Sequence, residues 1–127
     1  MLIDTDVLIW MTRGHAGAAA RLQTLLPWTI SAVTYMELAQ GCRNKQELGQ
    51  IQKGLAFSQT TILPISAAIS DRAIKLIEAY ALSHSMQLGD ALIAATALEH
   101  GLTVLTANVK HFSAIPELTV EVFVPSL

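Results

Sequence analysis

Three observations predict a three-layer α/β/α domain with a short, mostly parallel central sheet of about five strands. Short apolar runs alternate with longer stretches of helical periodicity along the chain, the pattern of β-α crossovers in an α/β fold. One helical stretch, from about Leu88 to His100, is apolar nearly all round and belongs in the interior. The chain has 127 residues, 52% of them hydrophobic, which is enough for one domain with a real core and too few for two.

The elements follow in order. Leu2 and Ile3 read as a buried strand of minimal length, and Asp4 stands where it would cap a helix. Residues 15–26 place alanines and leucines at helical spacing until Pro27 stops them. Residues 28–30 read as a second strand. Ser31 then caps a helix to about Gln40, with Gly41 as its stop. Residues 45–57 look helical but more polar, and 61–63 form a third strand ended by Pro64. Ser66 caps the strongest helix, whose apolar stripe is Ile69, Ala73, Ile74, Ile77, Tyr80 and Ala81. The buried helix ending at Gly101 comes next, then strands at 103–105 and 118–122. No repeat or linker interrupts residues 1–127, which read as a single domain.

Charge is scarce. Eight Lys and Arg face ten Asp and Glu, a net charge of −2, and charged residues make up only 14% of the chain. A typical soluble domain carries roughly 25%. Such a surface is either partly covered by a partner or embedded in a membrane. A span needs ~20 consecutive apolar residues, whereas the most apolar stretch, residues 91–98, contains Thr96 and runs into Glu99 and His100. The opening MLIDTDVLIW puts two acids where a secretory signal would be basic, and the lone Cys42 cannot form an internal disulfide. A cytoplasmic, non-membrane protein is therefore expected. The balanced charge leaves no basic face for generic nucleic-acid binding, so any nucleic acid must be held at a local site, for which metal ions are one means.

Open parallel sheets bind ligands outside the carboxyl ends of their strands. Asp4 follows the first strand and Asp6 comes two residues later. Thr106 and Asn108 follow the fourth strand, and Asp90 lies in the first turn of the buried helix. Glu37 sits within an apolar pattern. Each has a structural reading: Asp4 as a helix cap, Glu37 in a capping box with Thr34, Asp90 as a partner of the helix dipole, Asn108 as a turn residue. Their grouping in the least polar segments argues for more, because a buried carboxylate without a partner is expensive. Few basic residues are near them in sequence, and a divalent cation would compensate several at once; oxygen ligands suit Mg²⁺ or Mn²⁺. The remaining acids read as surface, Asp71 pairing with Lys75. His15, His84, His100 and His111 show no metal-ligand spacing, Cys42 reads as a silent thiol, and there is no P-loop or G-x-G-x-x-G.

The strings IDTDVLIW, ISAVTYMELAQG and LGDALIAATALEHGLTVLTANVKHF, with a closing Leu-Thr-Val strand, resemble the PIN-domain family and most closely its VapC branch, over essentially the whole chain. VapC proteins are toxins of bacterial toxin–antitoxin systems. The resemblance implies a PIN-like fold and a Mg²⁺-dependent endoribonuclease, with Mn²⁺ able to substitute, acting on tRNA or ribosomal RNA. It also implies a cognate antitoxin and a homodimer. Its metal ligands and catalytic residues carry over to Asp4, Glu37 and Asp90. Asp6, Thr106 and Asn108 fall at supporting positions, Asn108 where many relatives have a fourth acid, and Arg13 is a candidate RNA phosphate contact. Two alternatives stand beside it. One is a PIN-fold binding module with weakened acids, to which the neutral Asn108 points. The other is a haloacid-dehalogenase-like phosphatase using Asp4 of the Asp4-Thr5-Asp6 string, although Leu8 stands where that motif has Thr or Val.

Overall fold

The computed structural model describes residues 1–125. In chain order the elements are β1 (Leu2–Ile3), α1 (Thr5–Thr12), α2 (Ala16–Gln23), β2 (Thr29–Ser31), α3 (Ala32–Gln40) and α4 (Lys45–Phe57). They continue with β3 (Thr61–Leu63), α5 (Ala67–His84), α6 (Leu88–His100), β4 (Val104–Thr106), a 3₁₀ turn (Val109–His111) and β5 (Val120–Val122). Polar side chains start the helices as local chemistry dictates. Ser31 accepts from the Val33 N–H at 3.1 Å, Asn44 from Glu47 at 2.9 Å and Ser66 from Ile69 at 3.2 Å.

All strand pairs are parallel. Their hydrogen bonds form two ladders, β1-β4-β5 with three strands and β2-β3 with two. β2 runs against β1 without a shared ladder among the described residues, so the expected five-stranded sheet is divided 2 + 3. Strands of two or three residues have few backbone groups to pair, and this makes the division cheap. The chain leaves β1 toward β2 on one side and returns to β4 on the other. A crevice therefore opens at the carboxyl ends of β1 and β4.

Successive residues of a strand face opposite sides. Leu2 and Val104 accordingly enter one core with Ile69, Ala73, Ile93 and Phe112, whereas Ile3 and Leu105 enter another with Val7, Leu8, Leu22 and Ile30. Two cores on either side of a thin sheet give the three-layer arrangement expected. Helix α6 is the innermost, with Ala91, Ala94, Ala95 and Ala97 fully buried. Alanines there let α5 and α6 pack closely beneath β1 and β4.

Several boundaries differ from expectation: β2 and β4 each lie one residue further on, and β5 is confined to Val120–Val122. The helical pattern expected over residues 15–26 ends at Gln23, and a separate helix, α1, precedes it after Asp4. Gly14, with φ +85°, separates the two helices in a conformation few other residues adopt. Gly41 does end α3, but with φ −77°, so no left-handed cap forms there, whereas Gly101 closes α6 at φ +64°.

Candidate active site

Asp4 is placed by β1, whose end it marks, and by α1, which begins one residue later. Its Oδ1 accepts from the Thr5 N–H at 2.8 Å and its Oδ2 from the Thr106 hydroxyl at 2.8 Å. Thr106 ends β4 and is fully buried. Its oxygen in turn accepts from the Asn108 N–H at 2.9 Å. Asp6 lies beside them, its Oδ1 accepting from the Ala107 N–H at 3.2 Å and its Oδ2 standing 3.3 Å from the Thr106 hydroxyl. The Thr106 hydroxyl has one proton and gives it to Asp4, the nearer acid. Burial pushes the Asp4 carboxyl up from 3.8 to about 8, with Asp6 and then Asp90 adding to the effect. The hydrogen bonds from Thr106 and Thr5 oppose it without offsetting it.

Glu37 comes from the last turn of α3, one residue beyond the apolar face. Thr5 Oγ1 donates to its Oε1 at 2.7 Å and lies 3.1 Å from the Thr34 hydroxyl oxygen. The other carboxylate oxygen reaches α6, where a Cβ on Gly89 would stand 3.0 Å from it. Gly89 therefore leaves room for the Glu37 carboxylate against the first turn of α6. Asp90 is held by two groups. The Gln87 N–H donates to its Oδ2 at 3.1 Å, and His111 Nδ1 lies 3.2 Å from its Oδ1. His111 Nε2 is 3.2 Å from the Asn108 amide nitrogen.

The fold thus brings Asp4, Asp6, Asp90, Thr106 and Asn108 to the ends of β1 and β4, with Glu37 reaching in from α3. Thr5, Gly89 and His111 belong to the same cluster and were not singled out in the sequence. For His111 the signal was available: it stands three residues after Asn108, one turn away, in the segment that follows β4. Arg13 is elsewhere. It caps the far end of α1 and lines a cleft of ≈ 660 Å³ with Thr12, Cys42, Arg43 and Gln50.

The donor set suits a divalent cation in kind. Its groups are hard oxygens, and burial, then Asp6 and Asp90, make ionisation of Asp4 costly without a cation. The Lys and Arg ion pairs among the described residues, Arg21–Glu121, Arg43–Glu47 and Arg72–Glu99, all lie outside the cluster. As the side chains stand, no three His, Cys, Asp or Glu among the described residues gather tightly enough to enclose an ion. Glu37 is turned to Thr5, and Asp90 to Gln87 and His111. The fit is one of charge and donor chemistry.

The sequence profile of the PIN domain matches residues 1–118. The chain belongs to the PIN-domain family. Among curated PIN proteins, it is 36% identical to Ribonuclease VapC10 of Mycobacterium tuberculosis over 98% of this chain and 95% of that protein. It is 32% identical to Ribonuclease VapC1 of Rickettsia felis, over 94% and 93% of the two chains. Among solved structures, a toxin–antitoxin complex from Klebsiella pneumoniae contains a chain similar to this one. That chain is 31% identical with a TM-score of 0.78, covering 98% of this chain and 97% of its own. A PIN domain over most of the chain leaves the phosphatase reading of Asp4-x-Asp6 without support.

Proposed function

We propose that this protein is a metal-dependent endoribonuclease, a single PIN-like domain over residues 1–127 acting as the toxin of a toxin–antitoxin pair. The ribonuclease names of its relatives and the complex containing its structural neighbour support the reading. The observation that carries the metal is the buried Asp4, its carboxyl pushed up to about 8 by burial and neighbouring acids that no Lys or Arg pairs with among the described residues. Asp4, Glu37 and Asp90 would hold Mg²⁺, or Mn²⁺ in its place, with Asn108 offering a neutral oxygen. When bound, the cation would supply a nucleophilic water at neutral pH and charge stabilisation at the phosphate.

The chain's own residues provide positioning. Thr106 fixes Asp4, the Ala107 N–H holds Asp6, Thr5 holds Glu37, and the α6 N-terminus with His111 holds Asp90. Asp6, Thr106 and Asn108 thus support the ligands, and Arg13 with its cleft is the candidate contact for an RNA phosphate outside the scissile bond. Hydrolysis would leave a 5′-phosphate and a 3′-hydroxyl. tRNA or ribosomal RNA is the expected substrate class, recognised by shape and single-stranded loops. A cognate antitoxin and a second copy of the chain are the expected protein partners. No helix among the described residues is long and apolar enough to cross a membrane, in keeping with the cytoplasmic location we propose.

The deciding experiment is induced expression followed by mapping of RNA 5′ ends, in wild type and Asp4→Asn. New ends should arise in the wild type and vanish in the variant. With purified protein, cleavage should need Mg²⁺ or Mn²⁺ and stop with EDTA; cleavage indifferent to the chelator would sink the metal role. Absence of cleavage on any RNA would favour the binding-module reading, to which the neutral Asn108 points.

A further inference from the structure

His111 touches two site residues at once, Asp90 and Asn108. Its Nδ1 is 3.2 Å from Asp90 Oδ1 and its Nε2 is 3.2 Å from Asn108 Nδ2. The Asn108 amide nitrogen can only donate, so Nε2 must accept. The proton of the neutral ring then sits on Nδ1, where Asp90 can accept it. Both contacts are satisfied by a single tautomer. The Asn108 backbone is already fixed, because its N–H donates to Thr106 Oγ1 at 2.9 Å. Only the amide's direction is left open, and His111 takes its nitrogen end.

We infer that His111 is a positioning residue for the cation site. It orients the Asp90 carboxylate and commits the Asn108 amide nitrogen, so that Asn108 Oδ1 is the end left to face a cation. An amide turned the other way would present N–H groups and repel the ion. The inference rests on the metal reading of the preceding section and extends it to a residue outside the acid cluster. Groups that orient metal ligands in this way commonly change affinity by about 10–100-fold when removed.

The test is calorimetric titration of the full chain with Mn²⁺, without RNA. His111→Ala should weaken Mn²⁺ binding about tenfold or more, with the unfolding midpoint of the metal-free protein unchanged. His111→Gln carries one donor and one acceptor on its amide and should restore most of the affinity. In an Asn108→Asp background the two oxygens of residue 108 are equivalent, so His111→Ala should cost less there than in wild type. Wild-type affinity in His111→Ala overturns the inference, as does a His111→Gln variant as weak as the alanine. An equal loss in both backgrounds overturns it too. If the wild type itself takes up no Mn²⁺, the metal reading fails and this inference with it; wild-type binding alongside unaltered His111→Ala fails the inference alone.

Discussion

A carboxyl as deeply buried as that of Asp4 resists ionisation, and its neighbours Asp6 and Asp90 add to the resistance. Its value of about 8 in the fold against 3.8 ordinarily means that the native state holds the proton more tightly than the unfolded chain does. The stability this contributes is complete below pH 3.8 and is lost as the pH rises through about 8. Unfolding followed in EDTA should therefore give a lower midpoint at high pH than at low pH, and Asp4→Asn should flatten that slope. At neutral pH the same variant should raise the metal-free stability by about 1–3 kcal/mol while abolishing cleavage. A wild-type curve flat in pH would contradict the buried acid. Gly89→Ala separates stability from function in another way. Alanine should favour the helix by roughly 0.5–1 kcal/mol, yet its Cβ would crowd Glu37 at 3.0 Å and should reduce cleavage. Asp4, Thr106 and Asn108 were legible in the sequence because a strand end is a place a reader can point to. Thr5 and Gly89 were not, because each matters only through a side chain on another element.

At the scale of elements, periodicity identified what is long and burial decided the rest. The stripe of α5 and the apolar run of α6 are strong signals over 18 and 13 residues. The shift of β4 by one residue from 103–105 to Val104–Thr106 was beyond them, since a three-residue strand has no period to measure. Nor could composition show that the β1 and β2 ladders separate. The breaks at Gly14 and Gly41 differ in the sign of φ, +85° against −77°, which the residue type alone does not specify. The alanines of α6 carry a sharper consequence. Ala94 and Ala95 have no exposed surface, and α5 lies directly against this helix. Ala94→Leu forces a larger side chain into that contact and should cost about 1–3 kcal/mol. Urea unfolding measures it, and an unchanged midpoint would mean that α6 has slack that the buried alanines do not indicate.

For the whole molecule, the low charge has a location. Ile74, Leu82 and Leu88 expose 58%, 101% and 68% of their surface, and all belong to α5 and α6. Between these helices Ala73, Ile77 and Leu92 floor an apolar groove of ≈ 310 Å³. Helix α5 thus presents exposed apolar side chains, whereas α2 contributes mostly small alanines. Other apolar side chains are exposed elsewhere, Phe57 among them, but here they border an apolar groove, a feature of surfaces that meet a partner. The acid cluster uses the N-terminal turn of α6, while Ile74 lies in mid-α5, so a charge placed there changes the face without touching a proposed metal ligand. Wild-type protein at micromolar concentration should therefore sediment above its 13.7 kDa monomer mass. Ile74→Lys should shift it toward the monomer while Mn²⁺ affinity stays as in wild type. A wild type that sediments as a monomer and does not change on that substitution would reserve this face for the antitoxin. Loss of Mn²⁺ binding in Ile74→Lys would instead show that the face and the metal site are coupled through α6.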